Sequence, residues 1–142
     1  MHQQFFNYIN ELAKNSPDPT RKVGAILVKD NKIISEGFND FVNISNKNPE
    51  FLEKPLKYFY LEHAERNAIF NAIKNNIDIS DSILYVNWFP CSDCVRSIIA
   101  CGIKEIITPP KPTGRTLQAS FDAAENMLNN SNIKITFYED KL

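Results

Sequence analysis

The heptapeptide Glu62-His63-Ala64-Glu65-Arg66-Asn67-Ala68 is answered downstream by Pro90-Cys91-Ser92-Asp93-Cys94, and the chain is organised around the pair. Ala68, Ile69, Ala72 and Ile73 follow the first stretch at helical spacing. They predict a helix from near His63 to Asn75, with Glu65 on the apolar face one turn earlier. Ile83-Leu84-Tyr85-Val86 reads as a strand. Pro90 suits the first position of the next helix, and Gly102 suits its end. Beyond lie a strand over Lys104–Thr108, a loop over Pro109–Gly114, a helix over Ser120–Asn129 and a last strand over Ile133–Tyr138.

Upstream, Phe5, Phe6, Ile9, Leu12 and Ala13 predict an amphipathic helix over Gln3–Asn15, closed by Ser16-Pro17-Asp18-Pro19. Val23–Val28 and Lys32–Gly37 flank Asp30-Asn31 as a hairpin whose first strand, apolar on both faces, belongs inside a sheet. The order is helix, two strands, then three helix–strand units. It implies helices on both faces of a mostly parallel sheet, an α/β fold in the form of a three-layer α/β/α sandwich. From Phe38 to Leu61 no period is clean. An ordered loop of that length reads as a rim or lid near a site, or equally as an insertion covering a helix or building a subunit contact.

At 142 residues the chain fits one domain, 1–142, with a real core. Its 43% hydrophobic and 23% charged residues are those of an ordinary globular protein. A formal net charge of -1 lacks the basic footprint of a dedicated nucleic-acid binder, so nucleic acid is not the expected partner. No apolar run approaches the roughly 18 residues of a membrane span, and Met1-His2-Gln3-Gln4 carries no signal-peptide pattern. Three cysteines argue against a disulfide framework; two at Cys-x-x-Cys spacing read as ligands in a reducing, cytoplasmic setting. Cys101, about 10 Å further along the helix from Cys94, is expected in the core. His2, at a terminus expected to be mobile, is not a site candidate.

Positions 63 and 65 diverge by about 200° around a helix, so they converge only on something just beyond its start. Cys91 and Cys94 lie one turn apart and share a face. His63, Cys91 and Cys94 suit one Zn²⁺ and leave its fourth tetrahedral position open, as a catalytic site requires. Helix N-termini favour the thiolates, and the ion lowers the pKa of bound water. Glu65 is left free as a proton carrier that works as both acid and base, aided by a pKa raised in a dry pocket. A redox pair or half of a structural zinc site is the competing reading of Cys-x-x-Cys; a closed site would want a fourth ligand.

These motifs, His63-Ala64-Glu65 and Phe89-Pro90-Cys91-Ser92-Asp93-Cys94, match the signature H-x-E…P-C-x-x-C of zinc deaminases. The chain resembles the cytidine and deoxycytidylate deaminase superfamily over almost its full length. The deoxycytidylate branch is the nearest, through Ser16, Asp18-Pro19, Val23-Gly24-Ala25 and Gly37-Phe38-Asn39. Asp40 stands where that branch usually has glycine, which puts negative charge near where a sugar or phosphate would lie. The resemblance implies a cytidine deaminase-like, five-stranded mixed sheet of order 2-1-3-4-5, one zinc on His63, Cys91 and Cys94, and Glu65 as the catalytic proton shuttle. It also implies a nucleotide across the N-terminal loop with Asn39 on the sugar, substrate contacts at Ser16 and Ala64, and a homo-oligomer, dimer or hexamer. Some members are regulated by deoxynucleoside triphosphates.

The expected reaction is hydrolytic deamination of a cytosine nucleotide, dCMP to dUMP and ammonia, by zinc-bound hydroxide attack at C4. Ligands gather beyond the carboxyl ends of parallel strands, which places Lys111 and Arg115 to meet a phosphate. Ser16, Thr20 or Arg21 can reach it from the other side. Trp88 and Phe89 either wall the base pocket or plug the core. Deamination of another free base or nucleoside, such as cytosine, cytidine or guanine, is the alternative, with Asp40 its best argument. Editing within RNA or DNA is disfavoured by the near-neutral charge.

Overall fold

A computed structural model describes residues 1–139; Asp140–Leu142, the end of the expected 1–142 domain, lie outside the described residues. Helix α1 (His2–Ala13) leads into the hairpin β1 (Gly24–Lys29) and β2 (Lys32–Phe38). Asp30 and Asn31 both adopt left-handed backbone conformations, as a two-residue turn matched to strand twist demands. Then follow α2 (Ala64–Lys74), β3 (Ile83–Val86), α3 (Ser92–Ala100), β4 (Glu105–Thr108), α4 (Gln118–Asn129) and β5 (Lys134–Phe137). The sheet order is β2-β1-β3-β4-β5. β1 runs antiparallel to both β2 and β3, while β3, β4 and β5 are parallel, so the sheet is mixed rather than mostly parallel.

Every residue of β1 except Lys29 is buried, and its alternation feeds two cores. Ile26 and Val28 face α1, where they meet Phe6, Ile9 and Leu12 with Tyr85 and Ile107. Ala25 and Leu27 face α2, α3 and α4, through Ala68, Ala72, Ile98 and Leu128 among others. One helix therefore covers one face and three cover the other. Each fully buried aliphatic or aromatic side chain stabilises the layers by about 1.5–3 kcal/mol. Gly37 lets α2 lie directly on β2: a Cβ there would stand 2.4 Å from the Ala68 nitrogen.

Three expectations need correction. Pro90 does not open α3; Cys91 is the N-cap and Pro90 precedes it, setting the chain's entry. Cys101 caps the end of α3 half-buried, packed against the edge of the core rather than within it. His2 is held in α1, 2.8 Å from the Tyr85 hydroxyl and against the Tyr85 and Tyr138 rings. The aperiodic segment has elements too short for periodicity to show: a 3-10 turn at Pro49–Leu52, one helical turn at Lys57–Tyr60, and Asp40–Phe41 paired with Leu61–Glu62.

Because β1 is antiparallel to β3, the start of β1 lies beside the end of β3. Asn87 clips the two together, its side chain accepting from the Gly24 N–H at 3.0 Å. The loops around residues 16–23, 38–62, 87–91 and 109–117 consequently gather at one edge, where α2 and α3 begin.

Candidate active site

His63 and Cys91 are the N-cap residues of α2 and α3, both in extended backbone, and neither uses its side chain to cap its helix. That leaves both side chains free to turn towards a common point in front of the two helices. Cys94, one turn into α3 and buried, reaches the same point. The His63 Nδ1 lies 3.3 Å from the Cys91 sulfur and 3.4 Å from the Cys94 sulfur, and the three donor atoms all fall within 4.8 Å of one another. Tetrahedral zinc with ordinary Zn–N and Zn–S bonds separates its ligands by roughly 3.5–3.8 Å, so the cluster fits that ion.

The protonation chemistry fits too. A hydrogen bond from Cys94 lowers the Cys91 thiol to about 4, against the effect of burial and with help from His63. The same contact, then burial, drives the Cys94 thiol well up. A dication held there would let both thiols ionise.

Glu65 stands in the first turn of α2, 4% exposed, and is not part of the ligand cluster. Burial, above all, pushes its carboxyl up to about 7; His63 opposes the shift and Cys91 adds to it. Behind the cluster, Arg66 holds Glu62 at 2.6 Å, and the Glu62 carboxylate also accepts the His63 N–H at 2.9 Å. This pairing fixes the backbone at the ligand itself.

His63, Glu65 and Cys91 form the floor of a cavity of about 320 Å³, in the range of pockets that take small molecules. Ala64, Asn39, Phe89 and Phe121 line it, and Arg21, Lys54, Lys57, Trp88 and Arg115 stand around its mouth. The Arg21 guanidinium lies 3.6 Å over the Trp88 ring, and that of Arg115 lies 5.2 Å from it. Among the described residues neither arginine has a carboxylate partner within ion-pair distance. Burial and then Arg115 pull the Arg21 pKa down, with Asp18 opposing.

Other expected contacts fall elsewhere. Lys111 donates to Asp122 at 2.9 Å and Glu125 at 3.0 Å on α4 and does not line the cavity. The Ser16 hydroxyl accepts from the Asp18 N–H, also outside the lining. Asp40 accepts from the Phe41 N–H and likewise lies outside, so it brings no charge to the pocket wall. Asn39 lines the cavity, yet its side chain is engaged with backbone: it accepts from the Val23 N–H at 2.9 Å and donates to the Arg21 carbonyl at 2.8 Å. Trp88 divides its surface between the mouth and an edge contact with Phe121, whereas Phe89 is buried. Lys54, Lys57, Tyr58 and Leu117 also reach the cavity. The first three sit in the aperiodic segment, where no spacing signals them.

A buried carboxylate beside a His-Cys-Cys cluster, at the edge where two helices of an α/β/α sandwich begin, fits a hydrolytic zinc site: the three residues would hold the ion and leave room for water as a further ligand. Residues 1–109 match the family model of the cytidine and deoxycytidylate deaminase zinc-binding region. The chain belongs to that family of zinc-dependent deaminases, and one zinc ion is the metal its donors fit. It is 30% identical over 141 residues to an uncharacterized deaminase from the luxG 3′ region of Aliivibrio fischeri, covering 95% of this chain and 91% of that protein. With deoxycytidylate deaminase of Mus musculus it shares 41% identity over 102 residues, 67% of this chain but only 56% of the mouse enzyme. The fold matches the dCMP deaminase of cyanophage S-TIM5 with a TM-score of 0.78 at 22% identity, over 96% of each chain.

Proposed function

We propose that the protein hydrolyses the 4-amino group of a cytosine nucleotide, converting dCMP and water to dUMP and ammonia. One observation carries the nucleotide part of this reading: Arg21 and Arg115 converge on Trp88 at the mouth of the cavity with no carboxylate within ion-pair distance among the described residues. Two like charges held that close call for an anion between them, and a 5′-phosphate on a base reaching the floor supplies one. The likeness to mouse deoxycytidylate deaminase points the same way. A free base or nucleoside would leave both arginines idle, and the placement of Asp40 removes the best argument for one.

Zinc held by His63, Cys91 and Cys94 would supply Lewis acidity that makes water nucleophilic near neutral pH. The rest falls to this chain's own residues. Glu65 accepts the proton that water loses as its oxygen bonds to C4, and delivers it to ring N3. It then carries the second proton to the amino nitrogen, the C4–N bond breaks, and the C4 carbonyl of uracil remains as ammonia leaves. A carboxyl raised to about 7 can give and take protons near neutrality with little bias. Phe89 and Phe121 exclude water from around the ring, and Trp88 offers a flat face.

The test is ultraviolet monitoring of deamination with dCMP, CMP, deoxycytidine, cytosine, dCTP, guanine and adenosine. A strong preference for dCMP over deoxycytidine supports the reading; a preference for an unphosphorylated base or nucleoside overturns it. The reading includes a homo-oligomer, supported by Phe70 and Ile73 exposed on α2, and a monomer by light scattering would overturn that part.

A further inference from the structure

Lys57 belongs to the helical turn at the pocket rim, and Asp18 to the loop between α1 and β1. They meet across 39 positions of sequence, with the Lys57 ammonium 3.2 Å from the Asp18 carboxylate. The side chains are 11% and 5% exposed, so the pair is no surface accident of two long side chains. Lys57 also donates to the Thr20 hydroxyl at 3.0 Å. The other Asp18 oxygen accepts from the Thr20 N–H at 2.9 Å, the Thr20 hydroxyl at 2.9 Å and the Arg21 N–H at 3.3 Å. Asn39 accounts for the Arg21 carbonyl. The Arg21 backbone is thus gripped at both ends, by Asp18 before it and Asn39 after it, and its guanidinium is aimed onto Trp88.

We infer that the Lys57–Asp18 ion pair is a positioning device for substrate-phosphate recognition: it locks the turn 18–21 so that Arg21 stands on Trp88 near Arg115, and so couples the rim segment 42–61 to the anion site. Lys57 acts here through Asp18 and not as a ligand of the phosphate. Its ammonium is already spent on a carboxylate and a hydroxyl, whereas the two arginines are spent on neither. Removing either partner leaves the other buried and unpaired, which loosens the turn. The inference rests on the nucleotide reading above.

Trp88 is the only tryptophan, so its emission and its quenching by iodide report directly on whether Arg21 covers it. Lys57→Met is expected to lower the dCMP-to-deoxycytidine ratio of kcat/KM about tenfold, a change equal to loss of one charge-assisted contact, with the change carried by KM for dCMP. Trp88 becomes more accessible to iodide in the same variant, and Lys57→Arg restores both properties. Asp18→Asn separates positioning from direct contact. If Lys57 served the phosphate itself, freeing it from Asp18 would raise the ratio; as a positioning pair, its loss lowers the ratio as Lys57→Met does. A raised ratio in Asp18→Asn, or a folded Lys57→Met protein that keeps the wild-type ratio or the wild-type Trp88 quenching, overturns the inference. If Lys57→Met fails to fold, Thr20→Val, which removes one of the two Lys57 acceptors, is expected to show the same changes more weakly, and wild-type behaviour there overturns it equally. A wild-type enzyme without preference for dCMP sinks the nucleotide reading alone, and the quenching arm then still decides whether the ion pair seats Arg21.

Discussion

At the floor of the cavity, His63 and Cys91 are residues at which helices begin, and Cys94 and Glu65 lie within the first turn of those helices. At the mouth, Arg21 and Arg115 sit on loops: side-chain bonds spanning 16 to 39 positions of sequence hold the Arg21 loop, and the Arg115 N–H donates to the Gln118 side chain at 3.2 Å. The floor is positioned by secondary structure docked on a buried sheet; the mouth is positioned by polar contacts between segments without periodicity. Chemistry that must be held to a fraction of an ångström is built on the first kind of support, and recognition that distinguishes one substrate from another on the second. Variants at the floor should therefore abolish the reaction on any substrate, and variants at the mouth should change which substrate is preferred.

Glu65→Gln is the strongest test of that division. The amide keeps the shape but not the proton, so turnover should fall by about 10³–10⁴ on dCMP and deoxycytidine alike, with zinc content by atomic absorption unchanged. Near-full activity would remove Glu65 from the chemistry. Cys94→Ala attacks the same floor through its donor set. Zinc should be lost in proportion to activity, and the melting temperature should fall; a variant that still retains stoichiometric zinc would contradict the three-ligand cluster.

Gly37→Ala probes the floor from behind. A Cβ at 2.4 Å from the Ala68 nitrogen and 2.6 Å from the Ala64 carbonyl oxygen meets the backbone of α2 itself, so α2 must move off the sheet. Overpacking of this kind costs about 1–3 kcal/mol, on the order of 10 °C in melting temperature at most for a chain this size. Because α2 starts at the zinc ligand, zinc affinity should weaken in step, while Trp88 emission at the mouth should not change. Arg115→Leu is the mirror experiment. KM for dCMP should rise about ten- to thirtyfold for the loss of one charge-assisted contact, with zinc content and thermal stability as in the wild type. A uniform loss on both substrates would mean that Arg115 serves the floor, and the division would fail.

The same contrast explains what the sequence could disclose. His63, Glu65, Cys91 and Cys94 were legible because their geometry is local: an i,i+2 pair at a helix start and an i,i+3 pair on one face fix the directions before any tertiary contact forms. The α/β/α layering followed from alternating segments and a strand apolar on both faces, whereas the sheet order, which the structure shows, came only from the family resemblance. Lys57 was illegible because a single helical turn gives no periodicity, and because its partner lies 39 positions away. Lys111 misled for a related reason. Its position after β4 is the expected one for a phosphate ligand, but Asp122 and Glu125, one turn apart on α4, capture it. Asn39, which the resemblance assigned to the sugar, lines the pocket, and only the folded chain reveals that its amide grips the loop carrying Arg21.

The smallest predicted effect concerns acid. Burial raises the Asp18 carboxyl, but the Thr20 N–H and hydroxyl, followed by Lys57, outweigh it and hold the group below the ordinary carboxylate range. A carboxyl whose pKa is lower folded than unfolded stabilises the fold fully above its unfolded value of about 4, and that contribution is lost as pH falls through its folded value. Wild-type stability, from urea midpoints between pH 7 and pH 3, should therefore decline through the acid end in part because of Asp18. Asp18→Asn should begin lower at pH 7 and decline less steeply, and the two curves should converge below pH 4. If the curves instead run parallel, Asp18 is as comfortable in the unfolded chain as in the folded one. The turn that aims Arg21 would then be held by Asn39 and backbone geometry alone, and the mouth would be a more rigid structure than its loops suggest.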